Sequence, residues 1–84
     1  MIPQPPATIK SLLRYLSIEA PGGDQLTPDD LRYLGYGDGP DGPLWIWQFV
    51  DSFGTTSYVT AEPYLDSYLL GYTDKLPVGF EPSV

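Results

Sequence analysis

The stretch from Leu44 to Asp51 limits the possible folds more than any other part of the chain. Successive side chains of a β-strand point to opposite faces, so a strand here would be apolar on both sides. Such a strand must be covered on both faces, or it must present one face to a partner. One face carries Leu44, Ile46, Gln48 and Val50, and the other carries Trp45, Trp47 and Phe49. The segment Thr56–Ala61 is rich in Thr, Tyr and Val and is predicted to return as the second strand of a hairpin.

Two short helices are predicted before this hairpin. In the first, Ala7–Ile18, apolar residues recur at helical spacing, and Thr8 is placed to cap the first turn. Proline and glycine resist helix continuation, so the Pro-Gly-Gly run at residues 21–23 should end this helix. The predicted apolar face consists of Ile9, Leu12, Leu13 and Leu16.

The second helix is predicted to begin at Thr27, which can cap the first amide groups. Pro28 has no amide hydrogen to leave unpaired, and Asp29–Asp30 would place negative charge at the positive end of the helix dipole. Gly35 suits the left-handed conformation that often follows the last helical turn. This helix should therefore be short.

The other segments are less regular. Gly35–Pro43 holds four glycines and two prolines and is predicted to be a surface loop. Residues 63–70 favour a helix, because tyrosines and leucines recur four residues apart and Gly71 suits a helix end. The alternation of apolar residues over 68–72 favours a third strand instead. Residues 1–6 are predicted to be a Pro-rich N-terminal arm, and residues 76–84 an irregular tail.

These elements predict an α+β fold in a small single domain that spans residues 1–84. The domain should contain two short N-terminal helices and a β-hairpin or a three-stranded antiparallel sheet. A chain of 84 residues has room for one thin hydrophobic core.

Composition narrows the possible chemistry. The chain has no His and no Cys, which excludes a His-dependent catalytic triad, a His/Cys zinc site and a disulfide framework within one chain. No apolar run approaches the roughly 18 residues of a membrane span. The net charge of −7 disfavours direct binding of nucleic acid, because phosphates would meet negative charge.

Carboxylates are the remaining candidates for a chemical site. Asp38 and Asp41 lie in a Gly-rich segment, but their spacing does not match that of a calcium-binding loop. Glu62 and Asp66 would be neighbours on a helix, but a chain of this size offers little room for a substrate cleft. We therefore expect solvated acids, no metal, no cofactor and no enzymatic activity.

Charge and aromatic residues are concentrated in the C-terminal part of the chain. Residues 33–84 contain seven acidic residues and a single basic one, Lys75, and they hold most of the Tyr, Trp and Phe. An acidic surface with exposed tyrosines suits a protein partner lined by Arg and Lys, because carboxylates pair with guanidinium groups and aromatic rings stack on them. The predicted partner-binding residues are Asp38, Asp41, Asp51, Glu62, Asp66, Asp74, Tyr36, Tyr58, Tyr64 and Tyr68.

In general character the chain is similar to the small acidic inhibitors of phages and mobile elements, which include anti-CRISPR and anti-restriction proteins. This resemblance implies a DNA mimic that blocks the basic nucleic-acid-binding surface of a host protein. The alternative is a general interaction module, or an antitoxin or immunity-type protein, that binds through an exposed aromatic side of Leu44–Asp51. The N-terminus lacks the basic region and apolar core of a signal peptide, so we expect a cytoplasmic protein, including the cytoplasm of an infected host cell.

Overall fold

The computed structural model describes residues 8–39, 42–65 and 67–76, with the side chains of residues 38 and 39 outside the description. One helix, α1 (Ile9–Glu19), precedes four strands. The strands are β1 (Arg32–Gly39), β2 (Gly42–Val50), β3 (Thr56–Tyr64) and β4 (Ser67–Thr73). They form one antiparallel sheet in the order β1-β2-β3-β4, so the domain is a small α+β fold. The predicted arm at residues 1–6 and most of the predicted tail at residues 76–84 lie outside the described residues.

The first predicted helix is confirmed. Thr8 caps α1, because its Oγ1 accepts a hydrogen bond of 3.1 Å from the amide of Ser11. Leu12 and Leu16 are fully buried on the side of α1 that faces the sheet. The helix ends before two required glycines: Gly22 has φ +69°, and a Cβ at Gly23 would collide with the carbonyl group of Leu16. In the described part of the chain no helix is long and apolar enough to span a membrane.

The second predicted helix is wrong. The segment Pro28–Asp30 forms one 3₁₀ turn, after which the chain extends into β1. The carboxylate of Asp30 accepts hydrogen bonds from the amide (2.7 Å) and the hydroxyl (3.0 Å) of Thr27, so the capping residues close this single turn. Tyr33 and Tyr36 then pack on the rings of β2, and this packing outweighs the local helix signals.

The Gly-rich segment is also more regular than predicted. Residues 35–39 belong to β1 and residues 42–43 to β2, whereas residues 40–41 lie outside the described part of the chain. Because β1 is an edge strand, it tolerates glycine, and its register with β2 shifts between Tyr33 and Gly35 as in a β-bulge. Gly35 has φ +126°, a conformation that other residues rarely adopt.

The predicted hairpin is confirmed, whereas the helix favoured for residues 63–70 is wrong. Strands β2 and β3 pair from Trp45 opposite Ala61 to Val50 opposite Thr56. The sheet continues into β4, so the alternative of a further strand holds, and the described residues form four strands instead of three. Leu65, which follows β3, has φ +52°.

The hydrophobic core lies between α1 and one face of the sheet. Trp45, Trp47 and Phe49 of β2 are buried there together with Leu12 and Leu16. This decides the role that the sequence left open for the three aromatic residues, which belong to the core. A smaller cluster lies on the opposite face, where Leu44 and Ile46 pack with Leu34 and Tyr58.

Candidate interaction surface

The sheet face opposite α1 brings together three of the predicted site residues. Strand alternation places Tyr58, Glu62 and Tyr64 of β3 on this face, since Val59 and Ala61 between them point into the core beneath α1. Leu69 of β4 lies opposite Glu62 in the sheet register and therefore points to the same side. We call the surface formed by Tyr58, Thr60, Glu62, Tyr64 and Leu69 the open sheet face.

The open sheet face borders a buried apolar cluster and carries one carboxylate, that of Glu62. Leu44 and Ile46 are buried between Leu34 and Tyr58, whereas Tyr64 is 53% exposed and Leu69 is 46% exposed. Glu62 is a half-buried residue on the same face. A tyrosine ring beside a carboxylate suits recognition of an Arg or Lys side chain, which can stack on the ring and pair with the acid.

Two further predicted acids line a groove at one end of the sheet. Asp51 follows β2 and Asp74 follows β4, and both border a groove of about 570 Å³. The ring of Tyr72 forms part of its wall. The other lining residues are Pro21, Thr55, Ser57 and Thr73. The groove therefore offers two carboxylates and an aromatic surface to a basic side chain.

Asp51 also has a structural role. Its Oδ1 accepts hydrogen bonds from the amides of Phe53 (2.9 Å) and Thr55 (3.0 Å), which fixes the turn between β2 and β3. One carboxylate oxygen is thus committed to the fold. Asp74, exposed at the end of β4, is the more available of the two acids.

The remaining predicted residues are divided between the core and the undescribed parts of the chain. Tyr36 and Tyr68 pack against the core beneath α1, and the Tyr36 ring centroid lies 4.7 Å from that of Trp45. Asp41 and Asp66 lie outside the described residues, as does the side chain of Asp38. The structure thus brings Tyr58, Glu62 and Tyr64 together on one face and places Asp51 and Asp74 together at the end of the sheet.

The structure buries the aromatic side of Leu44–Asp51, through which the alternative interaction module was predicted to bind. Trp45, Trp47 and Phe49 are between 2% and 6% exposed, because α1 covers them. The aromatic side of β2 therefore cannot contact a partner in the folded protein.

Sequence reasoning missed an exposed apolar group at the turn between β3 and β4. Leu65 is 88% exposed, and it lies beside Tyr64 and near Leu69 along the hairpin. The predicted helix over 63–70 would have distributed these side chains differently. The alternation of residues 68–72 was the signal that could have revealed the hairpin.

Two tyrosines have altered acidity. Burial raises the pKa of the Tyr33 phenol above its ordinary value, and its hydroxyl has no hydrogen-bond partner among the described residues. Burial also raises the pKa of Tyr15, with smaller contributions from Glu19 and Tyr72. Tyr15 of α1 and Tyr33 of β1 both pack against the core between the helix and the sheet. In the described part of the chain no three acidic residues cluster closely enough to hold a metal ion.

Comparison of the chain with protein-family models, with curated proteins and with solved structures gives no match.

Proposed function

We propose that this protein is a small non-enzymatic inhibitor, of the anti-CRISPR or anti-restriction type, that docks on a basic nucleic-acid-binding surface of a host protein. The contact surface is the open sheet face together with Asp74, which is exposed at the end of β4. The observation that carries the proposal is the placement of Glu62 between Tyr58 and Tyr64 on an exposed side of the sheet.

The negative charge of the whole molecule supports attraction to a basic surface. The described charges do not by themselves select one side, because Glu62, Asp74 and Lys75 lie at β3 and β4, whereas the exposed acids Glu19, Asp24, Asp29 and Asp30 accompany Lys10, Arg14 and Arg32 on the N-terminal side. With a net charge of −7, the field of the molecule would speed its encounter with a basic surface and slow its encounter with DNA.

The proposal is tested by competition with duplex DNA for a panel of restriction endonucleases and CRISPR effector complexes. We expect the protein to bind at least one of them, to displace DNA, and to bind more weakly as salt is raised from about 50 mM to about 500 mM. If no enzyme in the panel binds, or if binding is indifferent to both salt and DNA, the proposal is wrong.

A pair of matched variants locates the contact. Glu62→Gln combined with Asp74→Asn removes two carboxylates from the proposed surface and should weaken binding roughly five- to thirty-fold, at about 0.5–1 kcal/mol for each exposed ion pair. Asp24→Asn combined with Asp29→Asn removes the same charge from exposed positions in the turns after α1 and should change binding by less than about two-fold. Equal losses in both pairs would show that only net charge matters, which would contradict docking through this face.

A second candidate function is an antitoxin or immunity-type interaction module that binds through apolar contacts. The observation that favours it is the exposure of Tyr64, Leu65 and Leu69 along the β3–β4 hairpin. In that case Leu65→Ser or Leu69→Ser would weaken binding more than the Glu62/Asp74 pair, and the affinity would vary little with salt.

A further inference from the structure

The two edges of the sheet differ in their protection against pairing with another strand. Strand β1 forms one edge, and it carries a register shift near Gly35 and a charged residue, Arg32, at its start. Bulges and charges are the devices by which natural sheets prevent edge-to-edge association. Strand β1 is therefore a poor template for a further strand.

Strand β4 forms the other edge in the described part of the chain and has none of these devices. Its seven residues include no charged residue and no proline, and they pair with β3 without a register shift. Leu69 is 46% exposed and Tyr72 is 38% exposed. An uncharged, regular and partly apolar edge strand is a surface on which another strand can pair.

The sequence of β4 is close to palindromic in residue type. It reads Ser-Tyr-Leu-Leu-Gly-Tyr-Thr, with Leu70 at its centre. When two antiparallel copies pair about Leu70, Ser67 lies opposite Thr73 of the other copy, and Tyr68 lies opposite Tyr72. Hydroxyl groups thus meet hydroxyl groups and aromatic rings meet aromatic rings, which are favourable cross-strand pairs of antiparallel sheets, whereas Leu69 lies opposite Gly71.

We propose that β4 is the interface of a symmetric homodimer, in which the β4 strands of two copies pair antiparallel about Leu70. The two four-stranded sheets then form one continuous sheet of eight strands. The matching of like residues favours a second copy over an unrelated strand, because a two-fold axis makes the same strand supply both sides. This inference goes beyond the proposed function and does not depend on it.

Charge gives the dimer a distinctive response to salt. Each copy carries −7, so the two copies repel each other, whereas the paired strands themselves are uncharged. Salt screens this repulsion and should strengthen the dimer. Docking on a basic surface should weaken under the same change, so the two proposals can fail separately.

The first test is the mass of the unmodified protein by sedimentation equilibrium over a wide range of concentrations. We expect the mass to rise with concentration from 9.3 kDa toward twice that value, and to rise further between about 50 mM and about 500 mM NaCl. A mass that stays at the monomer value throughout would overturn the proposal and would leave β4 open to a strand from another protein.

The second test uses the absence of Cys from the chain. Under mild oxidation, Leu70→Cys should form a disulfide-linked dimer, because directly opposite residues have Cα atoms about 4.5–5.5 Å apart. Leu34→Cys is the matched control on the β1 edge and should remain monomeric. Cross-linking by Leu69→Cys or Gly71→Cys in place of Leu70→Cys would overturn the Leu70-centred register. Cross-linking of Leu34→Cys at an equal rate would overturn the choice of edge, and if Leu70→Cys fails to fold, the mass of the unmodified protein decides.

Discussion

Leu65 combines a backbone conformation that leucine disfavours with a side chain almost fully in solvent. Left-handed backbone costs an ordinary L-residue about 1–2 kcal/mol, and asparagine tolerates it better. We expect Leu65→Asn to raise the free energy of unfolding by about 0.5–1 kcal/mol in urea denaturation. Leu69→Asn, in regular strand backbone, is the control and should give no gain, because asparagine is disfavoured in strands. Equal effects at the two positions would contradict the backbone explanation.

The hydroxyl of Tyr33 is buried and has no hydrogen-bond partner among the described residues. An unsatisfied buried hydroxyl costs about 1 kcal/mol or more, so Tyr33→Phe should stabilise the protein by about that amount while it keeps the ring against Trp47. A loss of stability in thermal or chemical unfolding would show that the hydroxyl has a partner in solution.

Tyr33 also predicts a dependence on alkaline pH. Its pKa is raised in the folded state, so the unfolded chain loses the phenol proton first as the pH rises. This contribution to stability is complete below about pH 10, the ordinary tyrosine value, and is lost as the pH rises further toward the folded pKa. Unfolding measured from neutral pH upward should show a smaller alkaline loss for Tyr33→Phe than for the unmodified protein. Identical losses would mean that Tyr33 ionises equally in both states.

Two substitutions of Asp51, in the turn between β2 and β3, distinguish its role as a hydrogen-bond acceptor from the effect of its negative charge. Asp51→Ala removes the acceptor of two amide hydrogen bonds and should lower the free energy of unfolding by about 1–2 kcal/mol. Asp51→Asn keeps an oxygen in the same place and should cost less than about 0.5 kcal/mol. Denaturation of both variants measures the difference, and an equal loss in both would mean that the negative charge itself holds the turn.

At the level of elements, the sequence predicted the helix and the strands whose apolar residues recur at a regular spacing. Helix α1 and the β2–β3 hairpin followed from apolar spacing, which reflects the face that each element buries. The prediction of a second helix was wrong because Thr27, Pro28 and Asp30 specify how a helical turn begins and not how far it continues. Residues 63–70 were compatible with the spacing of a helix and, over 68–72, with the alternation of a strand. Pairing with β3 in the structure shows that the segment Ser67–Thr73 is a strand. Tertiary pairing of this kind is not visible in local propensity.

At the level of the whole molecule, only part of the candidate surface could be predicted. Composition identified acids and tyrosines in the C-terminal part, but the face that each side chain takes depends on strand register. Tyr58 and Tyr64 share the open sheet face, whereas Tyr36 and Tyr68 pack in the core. The exposed Leu65 and Leu69 were not predicted, because the hairpin that presents them was assigned to a helix. The single helix α1 covers one side of the sheet, and the proposed interaction surface lies on the other side.

Hydroxyl-radical footprinting of the protein bound to an enzyme identified in the competition experiment tests this account most directly, because it reports the exposure of individual side chains. Compared with the unbound protein at the same concentration, we predict reduced oxidation of Tyr64 and Leu69 on the open sheet face. Ile18, which is exposed on α1, serves as the control and should be unchanged. Protection of Ile18 with unchanged oxidation of Tyr64 and Leu69 would contradict docking through the open sheet face.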